Sequence, residues 1–183
     1  LKGLEKLGAE VTLEQGYVMS KAERLKGAKF HFDISSVGAT GNVLMAAVLA
    51  KGTTLLTNAA IEPEITALAR MLVKMGAKID GIGTSILEIE GVDELKPVDE
   101  ETIPDRIEAA TFLIAAAMTN GKIEIERVNP YHLTSVIAKL EEAGCIIDVN
   151  GDKIMLEMEG KPKATDIITQ IYPGIPTDIQ AQW

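Results

Sequence analysis

The sequence is poor in reactive and aromatic side chains. It holds one cysteine, two histidines and only one Trp, three Tyr and three Phe, 4% aromatic over 183 residues. A single cysteine forms no intrachain disulfide and no metal cage, so a reducing, cytoplasmic setting is expected. Neither His31 nor His132 sits in a pattern of Cys, Asp or Glu at ligand spacing, and no metal site is expected. Long apolar runs are also lacking. Val43 to Ala50 and Ala109 to Met118 fall well short of the roughly 20 residues that span a bilayer. Basic residues are the minority, 18 Lys+Arg against 27 Asp+Glu for a net charge of -9, which argues against a nucleic-acid partner. The first residue is Leu1, and no charged segment followed by an apolar one comes after it, so the chain reads as an excised or processed piece rather than a secreted precursor. With 46% hydrophobic residues, the sequence can bury a core and is not disordered.

What the sequence does hold is a repeat of about 68 residues. Ile86-Leu87-Glu88-Ile89-Glu90-Gly91 returns as Met155-Leu156-Glu157-Met158-Glu159-Gly160. Ahead of each copy lies an amphipathic pattern with apolar residues at i, i+3, i+4 and i+7: Ile65, Leu68, Ala69, Leu72 and then Leu133, Val136, Ile137, Leu140. Each pattern opens on a proline, at Glu62-Pro63 and Asn129-Pro130, where a first helical turn has no use for the N–H. Each closes on a glycine cap, in Met75-Gly76-Ala77 and Ala143-Gly144-Cys145, and Gly8 in Leu7-Gly8-Ala9 marks the tail of an earlier copy.

Upstream of each amphipathic helix, Thr40 to Lys51 and Ile107 to Asn120 are apolar nearly all round and predict helices buried on several sides. Strands follow at Thr53 to Thr57 and Lys122 to Glu126, and an Asn150-Gly151 turn between alternating segments predicts a hairpin. One unit therefore reads strand, helix, strand, helix, strand, strand, an α/β fold of repeated βαβαββ units. A third unit opens near Lys163 and stops at Trp183, where its first helix should begin.

The repeat carries four local motifs in order: Ser36-Val37-Gly38-Ala39-Thr40, Glu62-Pro63-Glu64-Ile65, Pro104-Asp105-Arg106-Ile107-Glu108, and Pro173-Gly174-Ile175-Pro176-Thr177-Asp178-Ile179-Gln180-Ala181-Gln182. Together they resemble the UDP-N-acetylglucosamine 1-carboxyvinyltransferases of the enolpyruvyl transferase family, over essentially the whole chain. The resemblance implies six units arranged three by three in two lobes, each an inverted α/β barrel with helices inside and sheets outside. Six units of about 68 residues make about 400, so this chain would be an incomplete part. Residues 1–103 would be a partial first lobe and residues 104–183 a partial second lobe.

The reaction implied is transfer of the enolpyruvyl group of phosphoenolpyruvate to the 3-hydroxyl of UDP-N-acetylglucosamine with release of phosphate, the first committed step of peptidoglycan synthesis. No cofactor is implied; the partners are the two substrates and the remainder of the parent chain. Such a reaction needs a base for the hydroxyl, an acid for the methylene, and N–H or cationic groups around two anions. Asp178 matches the family's aspartate at the sugar hydroxyl and is the candidate base; on local chemistry alone, Thr177 or Asp178 would cap the next helix. Ser36, Val37 and Gly38 match positions that contact the UDP-sugar; on local chemistry alone, an ordinary Ser cap with a Gly for close packing comes ahead of that reading. Ile34 stands where many family members carry Lys. Glu62, Glu64, Asp105 and Arg106 are candidate cleft residues, against helix capping for the two glutamates and a local ion pair for Asp105 and Arg106. The family's general-acid cysteine matches a position upstream of Leu1, which leaves Cys145 as a small core residue. The segments that would hold phosphoenolpyruvate are likewise outside the chain, so the piece alone is expected to be inactive.

Two other classes compete. A shikimate-pathway synthase would favour Lys and Arg in the helix-opening segments, and a non-catalytic repeat module would bind a nucleotide sugar or a protein without forming product.

Overall fold

The computed structural model describes residues 1–183, which divide into two compact units, Leu1–Thr102 and Ile103–Trp183.

The first unit begins with a short helix α1 (Lys2–Lys6) and an antiparallel hairpin, β1 (Glu10–Glu14) and β2 (Tyr17–Lys21). Gln15 and Gly16 at its turn both take positive φ, 50° and 84°, the twist that a two-residue hairpin loop demands. A complete βαβαββ unit follows: β3 (Lys29–His31), α2 (Val37–Ala47), β4 (Thr53–Thr57), α3 (Pro63–Lys74), β5 (Lys78–Asp80) and β6 (Ile86–Glu90). The sheet order is β3-β4-β6-β5, with β3 parallel to β4 across the α2 crossover and the other pairs antiparallel. Strict alternation along β4 and β6 turns Leu56, Leu87 and Ile89 inward onto Leu44, Ala47 and Val48 of the α2 segment and Ala69 and Leu72 of α3. Each fully buried Leu or Ile contributes about 1.5–3 kcal/mol over its exposed state.

The second unit holds α4 (Arg106–Met118), β7 (Lys122–Ile125), a 3-10 turn (Pro130–Leu133) running into α5 (Thr134–Glu142), β8 (Ile146–Asn150) and β9 (Lys153–Glu157). Its sheet has three strands in the order β7-β9-β8. Ile154 and Leu156 of β9 pack with Leu113 and Ile114 of α4 and Val136 and Leu140 of α5. Beyond it, residues 158–176 carry one isolated bridge, Thr169 with Ile175, and Thr177–Gln182 forms a short 3-10 helix.

Four details depart from the sequence expectation. The second unit has no counterpart of β3: residues 91–105 are irregular, where Pro97 and Pro104 bracket three acids and withhold ladder donors. Asn129-Pro130 opens a 3-10 turn, with Asn129 Oδ1 accepting from the Tyr131 N–H at 3.1 Å, and the α-helix starts only at Thr134. Asn150 is already paired with Lys153, so Gly151-Asp152 is the turn. Helices α2 and α4 bury one side only. Met45 on α2, Leu49 just beyond it, and Phe112 and Met118 on α4 stand 43–68% exposed.

Candidate functional site

In the first unit the candidate binding residues gather at the start of α2. Ser36 has extended backbone, φ -135° and ψ 123°, and its Oγ accepts the N–H of Ala39 at 3.3 Å. The capping role is therefore real, and it satisfies one of the amides that a helix start leaves without an intrahelical partner. Gly38 behaves otherwise. A Cβ built on it meets nothing within 4 Å, and its φ is not left-handed, so neither packing nor backbone conformation calls for glycine there. At Gly41 a Cβ would meet Leu68 and Ile65 at 3.5 and 3.6 Å, ordinary van der Waals contact, so packing does not demand glycine there either. Val37 and Gly38 are both exposed, so the positive end of an eleven-residue helix is open to solvent.

Beside this helix start runs a cleft of about 510 Å³, with Lys2, Phe30, Asp33, Ile34, Gly38 and Asn42 on its walls. Phe30 meets Phe32 edge to face at 4.9 Å on that side. Lys2 is the only cationic side chain on its walls, and its Nζ lies 3.2 Å from Asp33 Oδ2. Ile34 is 77% exposed, which leaves an aliphatic side chain where a cation would serve an anionic ligand.

Glu62 and Glu64 flank Pro63 at the start of α3. Glu62 occupies the N-cap without a side-chain capping bond; it is buried, with Oε2 unpartnered, while Glu64 is half-buried in the first turn. Capping therefore does not account for where the Glu62 carboxylate lies.

In the second unit Asp105 caps α4, Oδ1 accepting from Ile107 N–H at 2.8 Å and Glu108 N–H at 3.1 Å. Its neighbour Arg106 is 7% exposed and lays its guanidinium over the ring of Tyr172, 5.5 Å from the centroid. Asp178 lies exposed in the first turn of the 3-10 helix Thr177–Gln182. Pro176 holds the N-cap there and no side chain caps it, so helix capping does not explain Asp178.

Other reactive side chains have structural occupations. Cys145 is buried with its Sγ 3.8 Å from Met158 Sδ, and burial pushes its thiol pKa up, away from the nucleophilic thiolate. His31 Nδ1 lies 2.9 Å from Thr57 Oγ1 and His132 Nε2 lies 3.0 Å from Asn129 Nδ2. No cluster of three His, Cys, Asp or Glu side chains is placed to hold a metal ion, and no helix is long and apolar enough to cross a membrane. Tyr172 lies one residue ahead of the Pro173 to Gln182 motif, and its one signal in the sequence is the scarcity of aromatics.

The family model described as EPSP synthase (3-phosphoshikimate 1-carboxyvinyltransferase) matches residues 1–183. The chain belongs to this family. Among its relatives, the UDP-N-acetylglucosamine 1-carboxyvinyltransferases of Chloroherpeton thalassium and Acidobacterium capsulatum are 54% and 53% identical over the whole of this chain. The chain spans 43% and 42% of those relatives' lengths. Among solved structures, the enolpyruvyl transferase NikO from Streptomyces tendae matches 99% of the chain with a TM-score of 0.86, over 46% of its own length and at 24% identity. The EPSP synthase from Acinetobacter baumannii matches 87% of the chain with a TM-score of 0.58, over 38% of its own length and at 26% identity. The mixed α/β units described above are thus those of enolpyruvyl transferase structures.

Proposed function

We propose that the protein to which this chain belongs transfers the enolpyruvyl group of phosphoenolpyruvate to the 3-hydroxyl of UDP-N-acetylglucosamine, releasing phosphate, as the first committed step of peptidoglycan synthesis in the cytoplasm. The carrying observation is the 54% identity, end to end, with a carboxyvinyltransferase named for that sugar nucleotide. Asp178 takes the proton of the sugar hydroxyl as its oxygen adds to C2 of the enolpyruvyl group and an acid outside this chain protonates C3. Loss of phosphate from C2 and of a proton from C3 then restores the double bond. Ser36, Val37 and Gly38 present a helix start to the anionic nucleotide sugar, and the bare backbone at Gly38 supports that assignment. Glu62 and Glu64, at the start of α3, are further candidates for substrate contact, whereas Asp105 serves α4 and Arg106 the loop described below.

The two units are parts of two lobes of the inverted barrel kind, helices inside and sheets outside. The exposed apolar sides of α2 and α4 support this reading, since helices enclosed by further units carry apolar residues all round. Residues absent from this chain supply the acid and the cations for phosphoenolpyruvate, so the chain alone is inactive.

The test is phosphate release by the full-length protein. It should require phosphoenolpyruvate and UDP-N-acetylglucosamine together, and Asp178→Asn should lower it by about 10²- to 10⁴-fold, the usual worth of a positioned base. Near-normal turnover by that variant removes Asp178 from the role. A second reading, a synthase acting on shikimate 3-phosphate, is favoured by the description of the family model and by the A. baumannii enzyme. Release with shikimate 3-phosphate in place of the sugar nucleotide would establish it.

A further inference from the structure

We infer that Tyr172, held by the buried cation of Arg106, is a positioning residue for Asp178; this rests on the assignment of Asp178 as the base. Asp178 is itself exposed and sits in a 3-10 helix of only six residues, too short to hold a side chain in place unaided. The loop ahead of it is fastened to three other elements. Arg106 lays its guanidinium over the Tyr172 ring from the first turn of α4. The Tyr172 hydroxyl donates to the carbonyl of Tyr131 at 3.4 Å, and Ser135 Oγ donates to the carbonyl of Pro173. Within the loop, Gln170 N–H donates to Ile175 O at 2.9 Å and Gly174 N–H to Ile171 O at 2.8 Å. Beyond Asp178, Ile179 is fully buried and Gln182 Nε2 donates to Thr111 Oγ1 of α4 at 3.1 Å.

The carboxylate is thus suspended between two attachments to the same helix, one at Tyr172 and one at Ile179 to Gln182. A guanidinium is costly to remove from water, and its position over an aromatic face offsets part of that cost while fixing the ring. A general base must come within hydrogen-bond reach of the proton it takes, and a displacement of about 1 Å costs on the order of 10²-fold in rate. Tyr172 therefore acts through Asp178.

A double-mutant cycle in the full-length protein tests this. Tyr172→Leu should lower kcat by about 10- to 100-fold with KM for both substrates held within about twofold. Tyr172→Phe, which keeps the ring under the guanidinium, should restore most of the loss. In an Asp178→Asn background, Tyr172→Leu should cost nothing more, because the group it positions is gone. If Tyr172→Leu does not accumulate in folded form, Arg106→Gln runs through the same cycle. Equal losses in the two backgrounds, a rise in KM at unchanged kcat, or failure of Tyr172→Phe to rescue each overturn the positioning role while leaving the base assignment standing. Near-normal turnover by Asp178→Asn alone overturns both.

Discussion

A Cβ added at Gly91 would lie 1.6 Å from the carbonyl oxygen of Ala50. The backbone passes there because Gly91 N–H donates to Gly52 O at 2.9 Å, tying the end of β6 to the start of β4. Gly160, its partner in the repeat, has open space around it but holds φ at +86°, a left-handed backbone. Two glycines at one repeat position thus answer two different demands. Gly91→Ala should destabilise by about 1–3 kcal/mol through overpacking against rigid backbone, and Gly160→Ala by about 1–2 kcal/mol through conformation alone. Urea melts of the two variants measure both, and a Gly91→Ala protein as stable as the wild type would contradict the close approach. The repeat was legible at this scale, but the reason for each glycine was not, since contact with Ala50 depends on tertiary structure. Tyr172 was hidden for the same cause: its partner Arg106 lies far away in sequence and is joined to it only by folding.

At the scale of elements, periodicity served well wherever one face alone meets the core. Ile65, Ala69 and Leu72 on α3, and Leu133, Val136 and Leu140 at and along α5, are all buried as their spacing predicts. It was less informative for α2 and α4, whose all-round apolar composition does not say which face this chain covers. Prolines at 97 and 104 suppressed a strand that the repeat alone would have placed. The sheet of the second unit adds a charge device across its surface. Lys153 on β9 pairs with Glu126 and lies 3.8 Å from Glu124 of β7. The hydrogen bond and charge of Lys153 hold the Glu126 carboxyl below the usual carboxylate range, and Glu126 in turn raises Lys153. A carboxyl whose folded pKa is depressed contributes stability above its unfolded value, and that contribution is lost as pH falls through the folded one. Carbon-detected titration should find Glu126 protonating at lower pH than an unpaired glutamate, and Lys153→Met or high salt should return it toward the ordinary value. An unchanged Glu126 titration in Lys153→Met would contradict the pairing.

At the scale of the whole molecule, the chain covers 43% of the length of its relatives and carries a net charge of -9. A cleft for two anions needs converging cations, and of the candidate residues only Arg106 is a cation, already stacked on Tyr172. The 183-residue chain on its own should therefore release no phosphate from phosphoenolpyruvate, with or without UDP-N-acetylglucosamine. It should also brighten a dye such as ANS through the apolar sides of α2 and α4, and measurable turnover would overturn the account of where the acid and the cations lie. The order of the motifs made the family legible from sequence. The open faces were not, because an enclosed helix and a half-covered one have the same composition.

The hairpin β1–β2 stands apart from the sheets that follow it. In each of the other two sheets the strand at the matching position, β6 or β9, is flanked on both sides, whereas β2 has β1 alone. Leu13 and Val18 face each other across it at 72% and 51% exposure. A two-stranded ribbon with so little burial is marginal by itself. The hairpin should therefore open before the four-stranded sheet, and its amide protons should exchange with solvent deuterium long before those of β6.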